Sequence, residues 1–399
     1  MIMYLSEKAK AIKASTTLAI DSKFKAMKAE GIDVVGFGAG EPDFDTPKYI
    51  QDAAIEAIRG GQTKYTPAAG TMVLRQAVAD KFLRENGLSY EPTQIVVSNG
   101  AKHSLVNAFS AILNPGDEVI IPAPFWVSYP EMVKLSDGVP VVVETTEEND
   151  FKLGVAELSA ALTDKTRAIV LNSPSNPTGM VYTEEELKAI ADFAVEHDLY
   201  VISDEIYEHL IYEGKHVSIA SLGEEIKKRT IIINGVSKTY AMTGWRIGFA
   251  AAAPEIAKVM ANEQSHASSN PNSIAQAATV AALSGGKEEI EMMKKAFVER
   301  RNYMVERINN MNGVSCKMPN GAFYVLMNIS ALKGHEMAGV MINSSDDFAG
   351  VLLDKAKVAV VPCSGFGNDD YVRWSYAVSM DTVKEGLDRL EAFLKENNF

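Results

Sequence analysis

Between residues 94 and 252 the chain repeats one texture: a short, nearly uninterrupted apolar run, a helix-like stretch or turn, then another apolar run. The runs are Q-I-V-V-S-N-G (94–100), D-E-V-I-I-P (117–122), V-P-V-V-V-E (139–144), R-A-I-V-L-N (167–172), L-Y-V-I-S-D (199–204), T-I-I-I-N (230–234) and R-I-G-F-A-A-A (246–252). A strand with one wet face alternates polar and apolar residues, whereas a strand covered on both faces reads as a continuous apolar run. Between the runs the period changes. Leu105, Phe109, Ile112 and Leu113 recur at helical spacing after Lys102, and E-E-E-L-K-A-I-A-D-F-A-V-E-H (184–197) follows Thr183, a candidate N-cap. The pattern predicts an α/β fold: a mostly parallel, seven-stranded sheet sandwiched by helices. The 234–246 connection is too short for a helical crossover, so the last two strands are expected to run antiparallel.

After residue 285 the alternation stops. A long helical stretch (287–311) leads to G-A-F-Y-V-L-M-N (321–328), V-A-V-V-P (358–362), V-R-W-S-Y-A (372–377) and a terminal amphipathic helix (381–396). This is an α+β pattern, and 399 residues suffice for two cores. The expected division is a large α/β domain over 47–285 and a smaller domain made of 1–46 plus 286–399.

A net charge of −13 disfavours nucleic acid or an anionic membrane as partner, because both select basic surfaces. Two cysteines, Cys316 and Cys363, fit a reducing compartment. The first residues, M-I-M-Y-L-S-E-K-A-K, lack the apolar core of a secretory signal, and no stretch reaches the roughly 20 apolar residues of a membrane span. A cytoplasmic protein is expected.

Common motifs fail on their spacing. G-F-G-A-G-E-P (36–42) lacks the G-x-G-x-x-G register and does not open a helix, so a nicotinamide-dependent dehydrogenase has little support. G-V-S-K-T (235–239) lacks the first glycine of a P-loop, and His335-Glu336 is not followed by a second ligand, so no metal site is expected. What remains lies at the C-terminal ends of the strands, where open α/β sheets bind ligands. Asn99-Gly100-Ala101-Lys102 opens a helix whose first N–H groups suit a phosphate; 199–203 ends in Asp204-Glu205-Ile206-Tyr207; 167–171 ends in Asn172-Ser173-Pro174-Ser175-Asn176-Pro177; and 230–233 ends just before Ser237-Lys238. Any one of these is commonplace. Together they supply a lysine for an aldehyde, an anion for a pyridine nitrogen, donors for a ring oxygen and a phosphate cradle, which is what pyridoxal phosphate needs.

Asn176-Pro177-Thr178-Gly179, Asp204-Glu205-Ile206-Tyr207, Ser237-Lys238 with Arg246, and the late Arg373 resemble the class I aminotransferases of the fold-type I pyridoxal-phosphate enzymes. The runs G-E-P-D-F-D-T-P, T-K-Y-T-P-A-A-G, P-F-W-V-S-Y-P-E-M-V and A-M-T-G-W-R-I-G look most like the bacterial branch of the aspartate aminotransferases, and the resemblance spans residues 5 to about 395.

The resemblance implies roles. Lys238 would bond covalently to the cofactor aldehyde and, once displaced by substrate, move a proton as general base. Asp204 would face the pyridine nitrogen, Tyr207 and Asn176 the ring oxygen, and Trp126 the ring face. Ser237, Arg246 and the backbone of Gly100, Ala101 and Lys102 would hold the phosphate. Tyr65 would reach the phosphate of a neighbouring subunit, implying a homodimer with shared active sites. Arg373 and the Gly40 N–H would take the substrate α-carboxylate, with Lys102 and Lys13 at the distal carboxylate. The implied reaction is ping-pong transamination between L-aspartate and 2-oxoglutarate, with the small domain closing over the substrate. Glutamate–prephenate, aromatic or alanine transamination, or a C–S lyase on the same scaffold, would use the same cofactor residues. A non-catalytic pyridoxal-phosphate-binding regulator is disfavoured, because its usual DNA-binding segment has no counterpart ahead of the resemblance and the charge is negative.

Overall fold

A computed structural model describes residues 4–12 and 16–399. A short strand β1 (Val35–Gly36) precedes the main series β2 (Ile95–Ser98), β3 (Glu118–Ala123), β4 (Val139–Glu144), β5 (Thr166–Asn172), β6 (Tyr200–Asp204), β7 (Thr230–Gly235) and β8 (Gly248–Ala251). β2 to β8 form one seven-stranded sheet in the order β2-β8-β7-β6-β5-β3-β4. The pairs from β4 to β7 are parallel, and β8 runs antiparallel to both β7 and β2. The short connection therefore produces the reversal expected of it.

Covered faces explain the apolar runs. Side chains alternate between faces along a strand. Val119 and Ile121, with Ala168 and Val170, join a core that includes Leu105 and Phe109 of helix Ala101–Ile112. Ile120, Ile169 and Leu171 point the other way, onto Leu187 and Ile190 of helix Glu184–Glu196. Each fully buried Ile, Leu or Phe contributes about 1.5–3 kcal/mol relative to exposure. Thr183 caps the second helix as expected: its hydroxyl accepts from Glu186 N at 3.2 Å, and Glu186 Oε2 accepts from Thr183 N at 2.7 Å.

Three sequence expectations need correction. β4 is an edge strand, with Val139 and Val142 more than two-fifths exposed, rather than a buried one. An apolar run alone cannot distinguish the two, although Pro140, which donates no ladder hydrogen bond, suits an edge. The 246–252 run begins as a strand only at Gly248, because Arg246 has φ +59°. The 358–362 run splits, as described next.

Beyond residue 285, helix Glu288–Asn309 precedes β9 (Ser315–Cys316), β10 (Tyr324–Asn328), a hairpin β11 (Glu336–Met337) and β12 (Val340–Met341), then β13 (Val358–Ala359), β14 (Val361–Pro362), β15 (Tyr371–Ser375) and helix Met380–Glu396. The sheet β14-β15-β10-β9 is antiparallel and packs through Phe323 and Trp374 against Phe297, Met304, Leu387 and Phe393 of the two helices. β13 turns away to pair in parallel with β1. That pairing draws the segment after β1, residues 37–41, alongside β15, and Ser375 N donates to the Phe37 carbonyl at 2.9 Å. Among the described residues no helix is long and apolar enough to cross a membrane.

Candidate active site

The C-terminal ends of β5, β6 and β7 and the loop after β7 open into a cavity of about 600 Å³, which also meets residues 38–41 and Arg373 of β15. Lys238 lies just past the end of β7, and its Nζ donates to the Gly40 carbonyl. Burial is the largest influence on this amine and lowers its pKa to about 8; Arg373 and Arg246 push the same way, while Glu41 and Asp204 oppose them. Half of such amines are neutral near pH 8.

Asp204 closes β6, fully buried. Its Oδ2 accepts from Tyr129 Oη at 2.7 Å and its Oδ1 from Ile206 N at 3.2 Å, both neutral donors. Burial raises its pKa to about 6 against the pull of those two hydrogen bonds. A carboxylate so placed gains more from a cation arriving in the cavity than a solvated one, because its own desolvation has already been spent by the fold.

Asn176 is fixed from two sides. Its backbone N–H donates to Asn172 Oδ1 at 2.8 Å, and its Oδ1 accepts from Arg373 Nη1 at 2.9 Å. Arg373 Nη2 donates to the Gly38 carbonyl at 3.0 Å, the guanidinium carbon stands 4.4 Å from the Tyr324 ring centroid, and Nε is buried without a partner. A buried fork held over an aromatic ring, with a donor to spare, is suited to a planar carboxylate.

One end of the cavity begins at helix Ala101–Ile112, where the N-cap Gly100 makes no side-chain capping hydrogen bond. Gly100 has φ +86°, and a Cβ there would collide with Arg246 Nη2. Arg246 itself donates to Thr243 O at 2.8 Å and Asn99 O at 3.3 Å, which aims its guanidinium at this helix end. Gly248 is needed for the same approach, since a Cβ there would overlap the Ala101 backbone nitrogen. Buried Ser237 completes this corner.

Trp126 lines the cavity wall, set edge-on to Tyr129 at 5.4 Å between ring centroids. The Lys102 ammonium sits 4.7 Å from the Trp126 ring centroid; partial withdrawal from water, then the Arg246 charge, lowers its pKa. Tyr207 is buried with its hydroxyl 2.9 Å from that of Tyr324.

Two expected residues stand apart. Tyr65 is 92% exposed and lies in a separate open depression with residues 268–273. Lys13 lies outside the described residues. Residues that the sequence reading did not single out are Tyr129, Tyr324, Gly38 and Glu41. Tyr129 follows Trp126 by three positions, a spacing consistent with one shared helical face. Tyr324 carries no local signal beyond its place in an apolar strand.

The donor set fits pyridoxal phosphate. Buried Asp204 suits a pyridinium, the depressed Lys238 amine suits an aldehyde, and the Gly100–Arg246 corner, closed to a Cβ, suits a phosphate. Outside this cavity, Glu85, Glu208 and His209, and likewise Glu205, Glu208 and His216, come close enough to hold a metal. The buried Lys81 ammonium already pairs with Glu208, which both groups share, and with Glu85 at 3.6 Å, and it donates to Asn86 Oδ1 at 2.9 Å.

A family model described as aminotransferase class I and II matches residues 32–390. An aspartate aminotransferase of Bacillus subtilis (strain 168) is 50% identical over 397 residues, covering 99% of this chain and 100% of the relative. An aspartate/prephenate aminotransferase of Nitrosomonas europaea is 46% identical over 98% of this chain and 100% of its own. The crystal structure of an aspartate aminotransferase from Rhizobium meliloti superposes with a TM-score of 0.95 at 43% identity, covering 98% of this chain and 99% of the other.

Proposed function

The chain belongs to the class I and II aminotransferases, which makes it a pyridoxal-phosphate-dependent enzyme, and on that premise we propose that it exchanges the amino group of L-aspartate with 2-oxoglutarate. One observation carries the reading: a depressed lysine amine, a buried carboxyl and a forked guanidinium all face one cavity. When bound, pyridoxal phosphate supplies an aldehyde that carries the amino group between half-reactions and a ring that takes up the electron pair released at the substrate Cα.

The chain's own residues do the rest. Arg373 receives the substrate α-carboxylate, with the Gly40 N–H beside it. Lys102, at the cavity wall, takes the distal carboxylate, and Lys13 is assigned to the same end. Lys238 holds the cofactor and then, as a free amine, carries the proton from the substrate Cα; an amine near pKa 8 is partly neutral at working pH and accepts it readily. Asp204, held by Tyr129, keeps the ring nitrogen protonated. Tyr207 and Asn176 donate to the ring oxygen, Trp126 covers the ring face, and Ser237, Arg246 and the N–H groups of residues 100–102 hold the phosphate. Residues 1–46 with 286–399 form a small domain that closes over the dicarboxylate and excludes water. The working unit is a homodimer in the cytoplasm, with Tyr65 completing the phosphate site of the neighbouring subunit.

The test is the visible spectrum of the purified holoenzyme before and after L-aspartate without any keto acid. Loss of the visible band supports cofactor, Lys238 chemistry and substrate together. A band that aspartate leaves unmoved would retain the family and overturn the substrate. Prephenate as a second amino acceptor is suggested by the relative named for it, and is tested by amination with glutamate as donor.

A further inference from the structure

Tyr324 touches three parts of the site at once. Its hydroxyl lies 2.9 Å from the Tyr207 hydroxyl. Its ring centroid lies 4.4 Å from the Arg373 guanidinium carbon. A Cβ built on Gly40 would come within 3.2 Å of its hydroxyl oxygen, and Gly40 supplies the carbonyl that accepts from Lys238 Nζ. The side chain is 1% exposed, so it has one place to be.

The topology gives this contact its meaning. Tyr207 follows β6 of the seven-stranded sheet, whereas Tyr324 and Arg373 belong to neighbouring strands β10 and β15 of the other sheet. In that register Tyr324 faces Ser375 and lies diagonal to Arg373, on the same sheet face, within reach of an aromatic ring. The Tyr324–Tyr207 hydrogen bond therefore spans the two sheets.

We propose that Tyr324 is a positioning residue of the transamination site, its hydroxyl setting Tyr207 and its ring setting Arg373. The group that receives the substrate α-carboxylate and the group directed at the cofactor ring oxygen are thereby held in one fixed relation. The inference rests on the reading of Tyr207 and Arg373 given above. Tyr207 has one phenolic proton. With that proton directed at a ring oxygen, the hydrogen bond between the two hydroxyls is donated by Tyr324. Accepting it polarises the Tyr207 O–H and makes it the stronger donor. The ring acts separately: its face carries the guanidinium, while Asn176 and Gly38 take two of its N–H groups. Phenylalanine would keep the ring and lose the hydroxyl, and leucine would lose both.

The experiment compares wild-type holoenzyme with Tyr324→Phe and Tyr324→Leu by pH titration of the visible band, by spectral titration with maleate as a non-reacting dicarboxylate, and by steady-state kinetics. A weaker donor at the ring oxygen leaves that oxygen more basic and retains the neighbouring proton longer. Tyr324→Phe should therefore move the band midpoint up by about half a pH unit or more and lower kcat roughly tenfold, with KM for aspartate within about twofold. Tyr324→Leu should in addition weaken maleate binding about tenfold. An unmoved midpoint and unchanged kinetics in Tyr324→Phe would make Tyr324 a core residue only and overturn the proposal, whether or not the leucine variant folds. A wild-type protein with no visible band after reconstitution would overturn the cofactor reading as well.

Discussion

Lys238 and Asp204 depart from ordinary behaviour in opposite directions for one reason, removal from water, and each sets a pH at which the cofactor-stripped protein changes charge. A lysine lowered from 10.5 to about 8 leaves the unfolded chain holding more protons across that window, so this group makes stability rise with pH between about 8 and 10.5. Its amine also becomes nucleophilic earlier. The rate at which stripped protein captures pyridoxal phosphate should climb with a midpoint near pH 8, read from the growth of the visible band between about pH 6 and 10. A midpoint near 10 would place Lys238 in water instead. Asp204, raised from 3.8 to about 6, stabilises the fold fully below 3.8 and loses that contribution as pH rises through about 6. Asp204→Asn should therefore leave the stripped protein as stable as wild type or more so at pH 7.5, by thermal melting, while kcat falls roughly 10²–10⁴-fold, a loss of the order carried by acid–base groups. Lys238 and Asp204 were legible in the sequence because the chemistry demands those residue types at strand ends, whereas Arg373, in the middle of β15, was legible only through the family resemblance. Tyr129 and Tyr324 were not, because a phenol inside an apolar stretch reads as core until the fold supplies its partner, Asp204 in one case and Tyr207 in the other.

Helix Ala101–Ile112 shows what an element end contributes beyond its side chains. Its N-cap, Gly100, needs a positive φ and leaves the space that the Arg246 guanidinium fills. Gly100→Ala should cost about 1–3 kcal/mol in urea unfolding through backbone strain and lower pyridoxal phosphate affinity, measured by fluorescence quenching, about tenfold or more. Thr183→Ala is the matched control, since it removes a capping-box hydroxyl from helix Glu184–Glu196 and should cost about 1 kcal/mol with kcat and cofactor affinity unchanged. If both variants lose cofactor affinity alike, general destabilisation accounts for the effect and the helix end has no special part. Six of the seven strands were readable because burial on both faces leaves no alternation, and β4 was readable from its Val-rich run alone. The position of β4 at the edge was not, since it depends on strand order, which an apolar run does not encode. The break at Val360 was hidden in the same way: β13 and β14 are one run in sequence but pair with different partners, β1 and β15.

At the scale of the whole molecule, the site lies where the two sheets meet, one bringing Lys238, Asp204 and Tyr207 and the other Arg373 and Tyr324. Tyr65 does not line this cavity; it projects 92% exposed. On the proposed reading, each site takes Lys238 from one subunit and Tyr65 from its neighbour, and that division of labour can be counted. A Lys238→Ala subunit keeps a good Tyr65, and a Tyr65→Ala subunit keeps a good Lys238. In a mixed dimer one of the two sites would then contain both wild-type residues, while the other would contain neither. After subunit exchange at equal amounts, half the dimers are mixed and one site in each is intact, so activity should reach about a quarter of wild type plus about a quarter of each parent's own activity. Light scattering would establish the dimer independently. If Tyr65 served its own subunit, no pairing of these two variants could assemble an intact site, and mixing would leave activity at the average of the parents.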